Sequence, residues 1–244
     1  MYCRTQLVEL QRGLTEFQAA GVWVAAISYD PPGALAQFCD EHGITYPFLS
    51  DDGSRLIQEL GILNTLIAPD EAVYGIPYPG SYLLDERGVI VAKFFHREYQ
   101  VREAPSFVLA EGFGLRPNLA GYPSSDANID GASVEVVLGA PDLKFWQRVN
   151  LHVHVVPREG WTLSEEPAVR VTSTADVHIQ APRSADGETR VELLSGVREG
   201  ETVPFTIEVT CALLGAAGTR VERTVEVRLE APVGSMNRAR PAGG

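Results

Sequence analysis

Three thiols are spread over 244 residues, at Cys3, Cys39 and Cys211, and Cys3 stands where a thiol does chemistry. The residues after it, Arg4-Thr5-Gln6-Leu7, open an amphipathic run, so the sulfur sits at a helix start. There it faces backbone N–H groups that lack a carbonyl within the helix, and the positive end of the helix dipole; both favour thiolate over thiol. A thiolate attacks a peroxide O–O bond or a disulfide. Cys39 shares a helical stripe with Leu35, Phe38 and His42, and Cys211 ends an apolar strand. Both are expected as small buried residues, with Cys39 kept as a candidate resolving thiol. His152 and His154 alternate in a strand and so share a face, but the sequence places no third ligand beside them. No metal site and no cofactor are expected. Asp51-Asp52-Gly53 reads as a helix cap and turn rather than a cation loop.

The elements that must position these residues follow from periodicity. Leu7, Leu10, Leu14 and Phe17 recur at helical steps and predict one helix from Arg4 to about Ala20, ended by Gly21. Val22–Ser28 is a continuous apolar run of strand length, as in a parallel strand covered on both faces. A second helix follows Asp30-Pro31-Pro32-Gly33 and stops at Gly43, and Ile44–Ser50 leads into a short strand. A third, shorter helix surrounds Leu56, Ile57 and Leu60, and residues 81–95 read as a hairpin turning at Glu86-Arg87-Gly88. A last helix is predicted over 104–111.

Beyond this point the period becomes two. Residues 133–138, 146–156, 169–173, 177–179, 189–194, 203–211 and 220–229 read as strands, which fits an antiparallel β-sandwich of immunoglobulin-like size. The division expected is an α/β domain at 1–112, a linker at 113–131, a β-sandwich at 132–232 and a disordered tail at 233–244. The formal net charge of −12 argues against binding nucleic acid through its phosphates, and no apolar run reaches the length of a membrane span.

Four segments, Cys3–Gln11, Val24–Asp30, Phe48–Asp51 and Gly75–Asp85, come in the order of one known family. Together they resemble the redoxins: peroxiredoxins of the AhpC/TSA type and their thioredoxin-like relatives, over about the first hundred residues. The resemblance implies a thioredoxin-like α/β fold whose first strand is missing. Relatives read Trp-Cys-Pro-Tyr-Cys before the helix, so Cys3 matches the second cysteine and an N-terminally truncated chain is the favoured expectation. Cys3 is then the catalytic thiol and Pro79, Gly80 and Ser81 shape the substrate groove. Where peroxiredoxins carry an arginine, the chain has Pro79, which resembles the cis-proline of thioredoxin-like reductases.

The implied function is thiol-dependent oxidoreduction, by peroxide reduction or thiol–disulfide exchange, with a catalytically silent interaction module as the alternative. The implied partners are a thiol reductant or a disulfide-containing protein, with peroxide as substrate. A cytoplasmic location is favoured over a periplasmic one. The second domain is faintly similar, through Leu151–Pro157 and Val209–Cys211, to the β-sandwich of bacterial thiol–disulfide interchange proteins.

Overall fold

The computed structural model describes residues 2–185, 187–198 and 202–236. The chain divides into two compact units, one of residues 2–101 and 108–117, the other of residues 102–107 and 118–236.

In the first unit, α1 (Tyr2–Arg12) and α2 (Leu14–Ala19) replace the single helix that periodicity predicts. Gly13, of the residue type with the poorest helix propensity after proline, sits at the break. The apolar run 22–28 forms a paired strand only at β1 (Ala26–Ser28). The helix α3 (Pro32–His42) is set by its ends, with proline in the first turn and Gly43 closing it at φ +63°. Next come β2 (Phe48–Ser50), parallel to β1, and α4 (Arg55–Glu59). The Asp51 carboxylate accepts the N–H groups of Leu56 at 3.1 Å and Ile57 at 2.8 Å, which makes it the cap expected for α4. The hairpin pairs β3 (Gly80–Leu84) with β4 (Ile90–Phe95), and the Asp85 carboxylate takes the N–H groups of Arg87 and Val89 in its turn.

Among the described residues β1 pairs only with β2, and β3 only with β4. Both ladders still pack on shared apolar ground. Phe17, Leu83 and Leu109 are buried together with Val22, Val24, Ala92 and Phe94 around them. A second cluster joins Phe38, Ile44 and Tyr46 to Leu7, Leu10, Leu14, Val24, Ala26 and Phe48. The other face of the run 22–28 is left outside, with Trp23 92% exposed, Ile27 44% and, from β2, Leu49 52%.

The last predicted helix splits between the units. A two-residue strand, β5 (Arg102–Glu103), and the single turn α5 (Pro105–Phe107) belong to the second, and a π-helical turn at Val108–Gly112 belongs to the first. Gly112 is needed there, since a Cβ would run into the Leu83 side chain.

The second unit is β-rich. Its strands are β6 (Ser124–Ile129), β7 (Ala132–Leu138), β8 (Gln147–Pro157), β9 (Trp161–Leu163), β10 (Ala168–Ser173), β11 (Val177–Ile179), β12 (Arg183–Ala185), β13 (Glu188–Ser195), β14 (Thr202–Gly215) and β15 (Arg220–Pro232). One sheet runs β11-β13-β8-β7-β6, with β12 on β13 and β5 parallel to β8; the other runs β10-β14-β15, with β9 on β14; neither closes into a barrel. Strand β6 corrects the expected linker. Ser-Ser-Asp-Ala-Asn-Ile carries too little apolar signal to read as a strand, yet as the edge partner of β7 it half-buries only every second residue. The core comes from alternation: Val134, Val136 and Leu138 on β7, Val149, Leu151 and Val153 on β8, and Phe205, Ile207 and Val209 on β14 are all buried. Of the stretch expected as a tail, Val233 bridges Leu143, and residues 237–244 lie outside the described residues. No described helix is long and apolar enough to cross a membrane.

Candidate functional site

Cys3 lies in the first turn of α1, is exposed, and forms no disulfide. Its neighbours fix that helix end. The Tyr2 ring meets Tyr99 edge-on at 6.0 Å, and the Arg4 guanidinium sits 5.3 Å over the Phe38 ring of α3. The cation nearest Cys3 in sequence is therefore engaged by an aromatic face. On the inner side Thr5, Val8 and Glu9 are buried, and Glu9 holds Arg12 at 2.7 Å.

Cys39 packs from α3 against the cluster that α1 enters through Leu7 and Leu10. Burial, and then the Asp40 charge, push its thiol up. Close by, the Tyr46 hydroxyl donates to the Leu7 carbonyl at 2.8 Å, and burial pushes that hydroxyl up strongly. Cys211 lies in the second unit at 1% exposure, its S–H directed at the Arg223 carbonyl 3.8 Å away. Burial raises its thiol too, partly offset by the Arg223 charge. Of the three thiols, only Cys3 is exposed.

Pro79, Gly80 and Ser81 lead into β3. Contrary to the expected cis-proline, no cis peptide bond occurs among the described residues, so Pro79 follows the trans preference of most X–Pro bonds. Gly80 pairs opposite Phe95, whose ring occupies the place of its missing Cβ, and Tyr82 packs on the same ring at 4.9 Å. Ser81 pairs opposite Phe94.

A helix-start thiol followed by a βα unit and an antiparallel hairpin is the arrangement on which comparison with known proteins bears. Residues 1–93 match the AhpC/TSA family. This redoxin domain is 33% identical over 89 residues to a Mycobacterium tuberculosis protein that carries a peroxiredoxin name, covering 36% of this chain and 56% of that protein. It is 27% identical over 88 residues to the chloroplastic peroxiredoxin Q of Populus jackii, covering 36% of this chain and 38% of that one. The chain thus spans about half the length, or less, of these relatives. The match supports a thioredoxin-like fold for the redoxin domain. A solved N-terminal domain of Neisseria meningitidis DsbD, in reduced form, covers 43% of this chain and 88% of its own at 12% identity, but the TM-score of 0.23 is too low to carry an argument.

The second unit holds a polar network that the sequence hints at only through its two histidines. His152, with no exposed surface, places Nδ1 2.5 Å from Glu188 Oε1, and His154 Nε2 lies 3.4 Å from the same oxygen. Burial works to raise the Glu188 carboxyl, but the His152 hydrogen bond and the charges of His152, His154 and Arg190 outweigh it, so the net shift is downward. Both histidines are thus turned to one carboxylate. Nearby, Arg148 pairs with Glu192 of β13 at 2.7 Å, and segment 102–107 adds Glu103 at 3.6 Å and the Phe107 ring 4.6 Å from the same guanidinium, while Ser106 donates to the Gly139 carbonyl. These links join residues up to 45 positions apart, which no local pattern reveals.

Proposed function

We propose that the redoxin domain is a thiol-dependent oxidoreductase with Cys3 as its nucleophile. The observation that carries this reading is an exposed cysteine in the first turn of a helix within the segment that matches AhpC/TSA. Peroxide is the substrate favoured by the peroxiredoxin names of the relatives. The thiolate attacks one peroxide oxygen, the O–O bond breaks, the leaving oxygen takes a proton as water or alcohol, and sulfur becomes a sulfenic acid. A thiol reductant then displaces water to form a mixed disulfide, and a second thiol returns Cys3 to the reduced state. Cys39 is the candidate internal thiol for the resolving step.

In the same reading, Pro79, Gly80 and Ser81 form the substrate groove beside the edge of β3 that no other described strand pairs. An extended disulfide-bearing peptide would add to that edge by backbone hydrogen bonds. An immunoglobulin-like sandwich for the second unit completes the proposal. The alternative, a catalytically silent interaction module, is favoured by the exposed Trp23, Ile27 and Leu49 and by the engagement of Arg4 with Phe38.

The test is hydrogen peroxide consumption with dithiothreitol as reductant, with Cys3→Ser, Cys39→Ser and Cys211→Ser in parallel. Turnover lost in Cys3→Ser and kept in Cys211→Ser is the expected result, and a fall in Cys39→Ser would mark Cys39 as the resolving thiol. Turnover that survives Cys3→Ser, or none in the parent chain with either peroxide or a model disulfide, would leave the silent module.

A further inference from the structure

The second unit contains a cavity that thiol chemistry does not use. Its volume of about 280 Å³ falls just below the roughly 300–1,000 Å³ usual for ligand pockets, so it suits only a small molecule. Phe145 and Trp146 line it, with rings 5.8 Å apart and inclined at 70°. Trp146 has φ +60°, a backbone region that bulky side chains rarely adopt. Its N–H donates to the Ser195 carbonyl at 2.7 Å and its own carbonyl accepts from the Arg102 N–H at 3.0 Å, so the conformation is held from both sides. Strain maintained in this way clusters at ligand sites.

The charges lining the cavity are arranged without pairing. Asp176 and Arg198 both face it, yet no ion pair joins them among the described residues. Gly196 makes room for the Asp176 carboxylate, which lies 2.5 Å from where a Cβ would stand. The Arg198 guanidinium rests 5.7 Å over the Phe145 ring. His178 and Leu194, opposed across β11 and β13, complete the lining.

We propose that this cavity binds a small zwitterion, an α-amino acid with an aromatic or large aliphatic side chain. Its ammonium pairs with Asp176, its carboxylate with Arg198, and its side chain lies against Trp146 and Leu194. Two opposite charges that share a cavity without meeting are both satisfied by a ligand carrying both signs. A ligand with one sign satisfies one and is repelled by the other.

Three probes separate these cases on the full chain: L-phenylalanine, N-acetyl-L-phenylalanine as the anion, and L-phenylalanine methyl ester as the cation. Tryptophan fluorescence is the readout, and a response kept in both Trp23→Phe and Trp161→Phe assigns it to Trp146. L-Phenylalanine is expected to bind about tenfold tighter than either blocked form, the scale of one charge-assisted contact. Asp176→Asn should abolish its advantage over the N-acetyl form, and Arg198→Gln its advantage over the ester. Equal affinity for all three probes, no response up to about 10 mM, or an order unchanged in both variants would overturn the proposal.

Discussion

The two units handle their strand edges in opposite ways. In the redoxin domain β1 and β2 are three residues long, and the apolar face of Trp23, Ile27 and Leu49 lies in water. In the β-rich unit β14 runs for 14 residues against the 13 of β15, and β8 is buried even on its polar face, where Asn150 and His152 have no exposed surface. Stability and function therefore reside in different units. A unit with long ladders and both faces of its central strand covered opens only with global unfolding, whereas short ladders with open edges open locally. Thiol exchange needs access, and the accessible thiol is in the less enclosed unit.

The sharpest test of that contrast is Phe205→Ala. Phe205, the fourth residue of β14, is fully buried, and its removal should cost about 3–5 kcal/mol, read from urea unfolding by Trp161 fluorescence. A variant whose Trp161 transition does not move would show that the second unit is no more tightly held than the first. Next in size is Gly139→Ala, whose Cβ would come within 2.8 Å of the Asn150 carbonyl and 3.1 Å of His152 Nε2. Overpacking against backbone should cost about 1–3 kcal/mol in the same assay.

Acid unfolding gives a smaller effect with a definite sign. The Glu188 carboxyl is held below its ordinary value, so it stabilises the fold above the usual carboxylate range near pH 4.3, and that contribution fades as pH falls through its lowered folded value. Urea midpoints measured from pH 7 downward should fall for the parent chain in that window, and less steeply in Glu188→Gln. Parallel curves would mean that His152 and His154 do not hold this carboxylate. The smallest change belongs to Trp23→Ser. With the ring almost wholly exposed, stability should move by no more than about 0.5 kcal/mol while aggregation falls, followed by light scattering. A large loss would mean that Trp23 is covered in solution.

Much of this contrast was readable from residue order. The helix α3 carries its own punctuation in Pro32 and Gly43, and the alternating strands around Val134, Leu151 and Ile207 announce a core face. Cys211 was likewise recognisable as a small buried residue and Cys3 as the thiol at a helix start. What stayed hidden depends on partners far along the chain. Val22–Ser28 looks like a full strand, but β2 offers it only three residues to pair with. Ser124–Ile129 looks like a linker because its edge position asks little of its side chains. The Glu188–His152 contact exists only because β13 pairs with β8 in one register. Trp146 gives no sequence signal at all, since nothing local demands a left-handed backbone there.

Residues 102–107 belong to the second unit, residues 108–117 to the first, and the chain then returns to the second. The polypeptide therefore passes between the units three times rather than once, and its genetic order is not its structural order. A fragment begun anywhere in the presumed linker would lack the short segment that contributes Glu103, Ser106 and Phe107, leaving Arg148 and Gly139 without those partners. A β-rich half cut at that point is therefore an incomplete module.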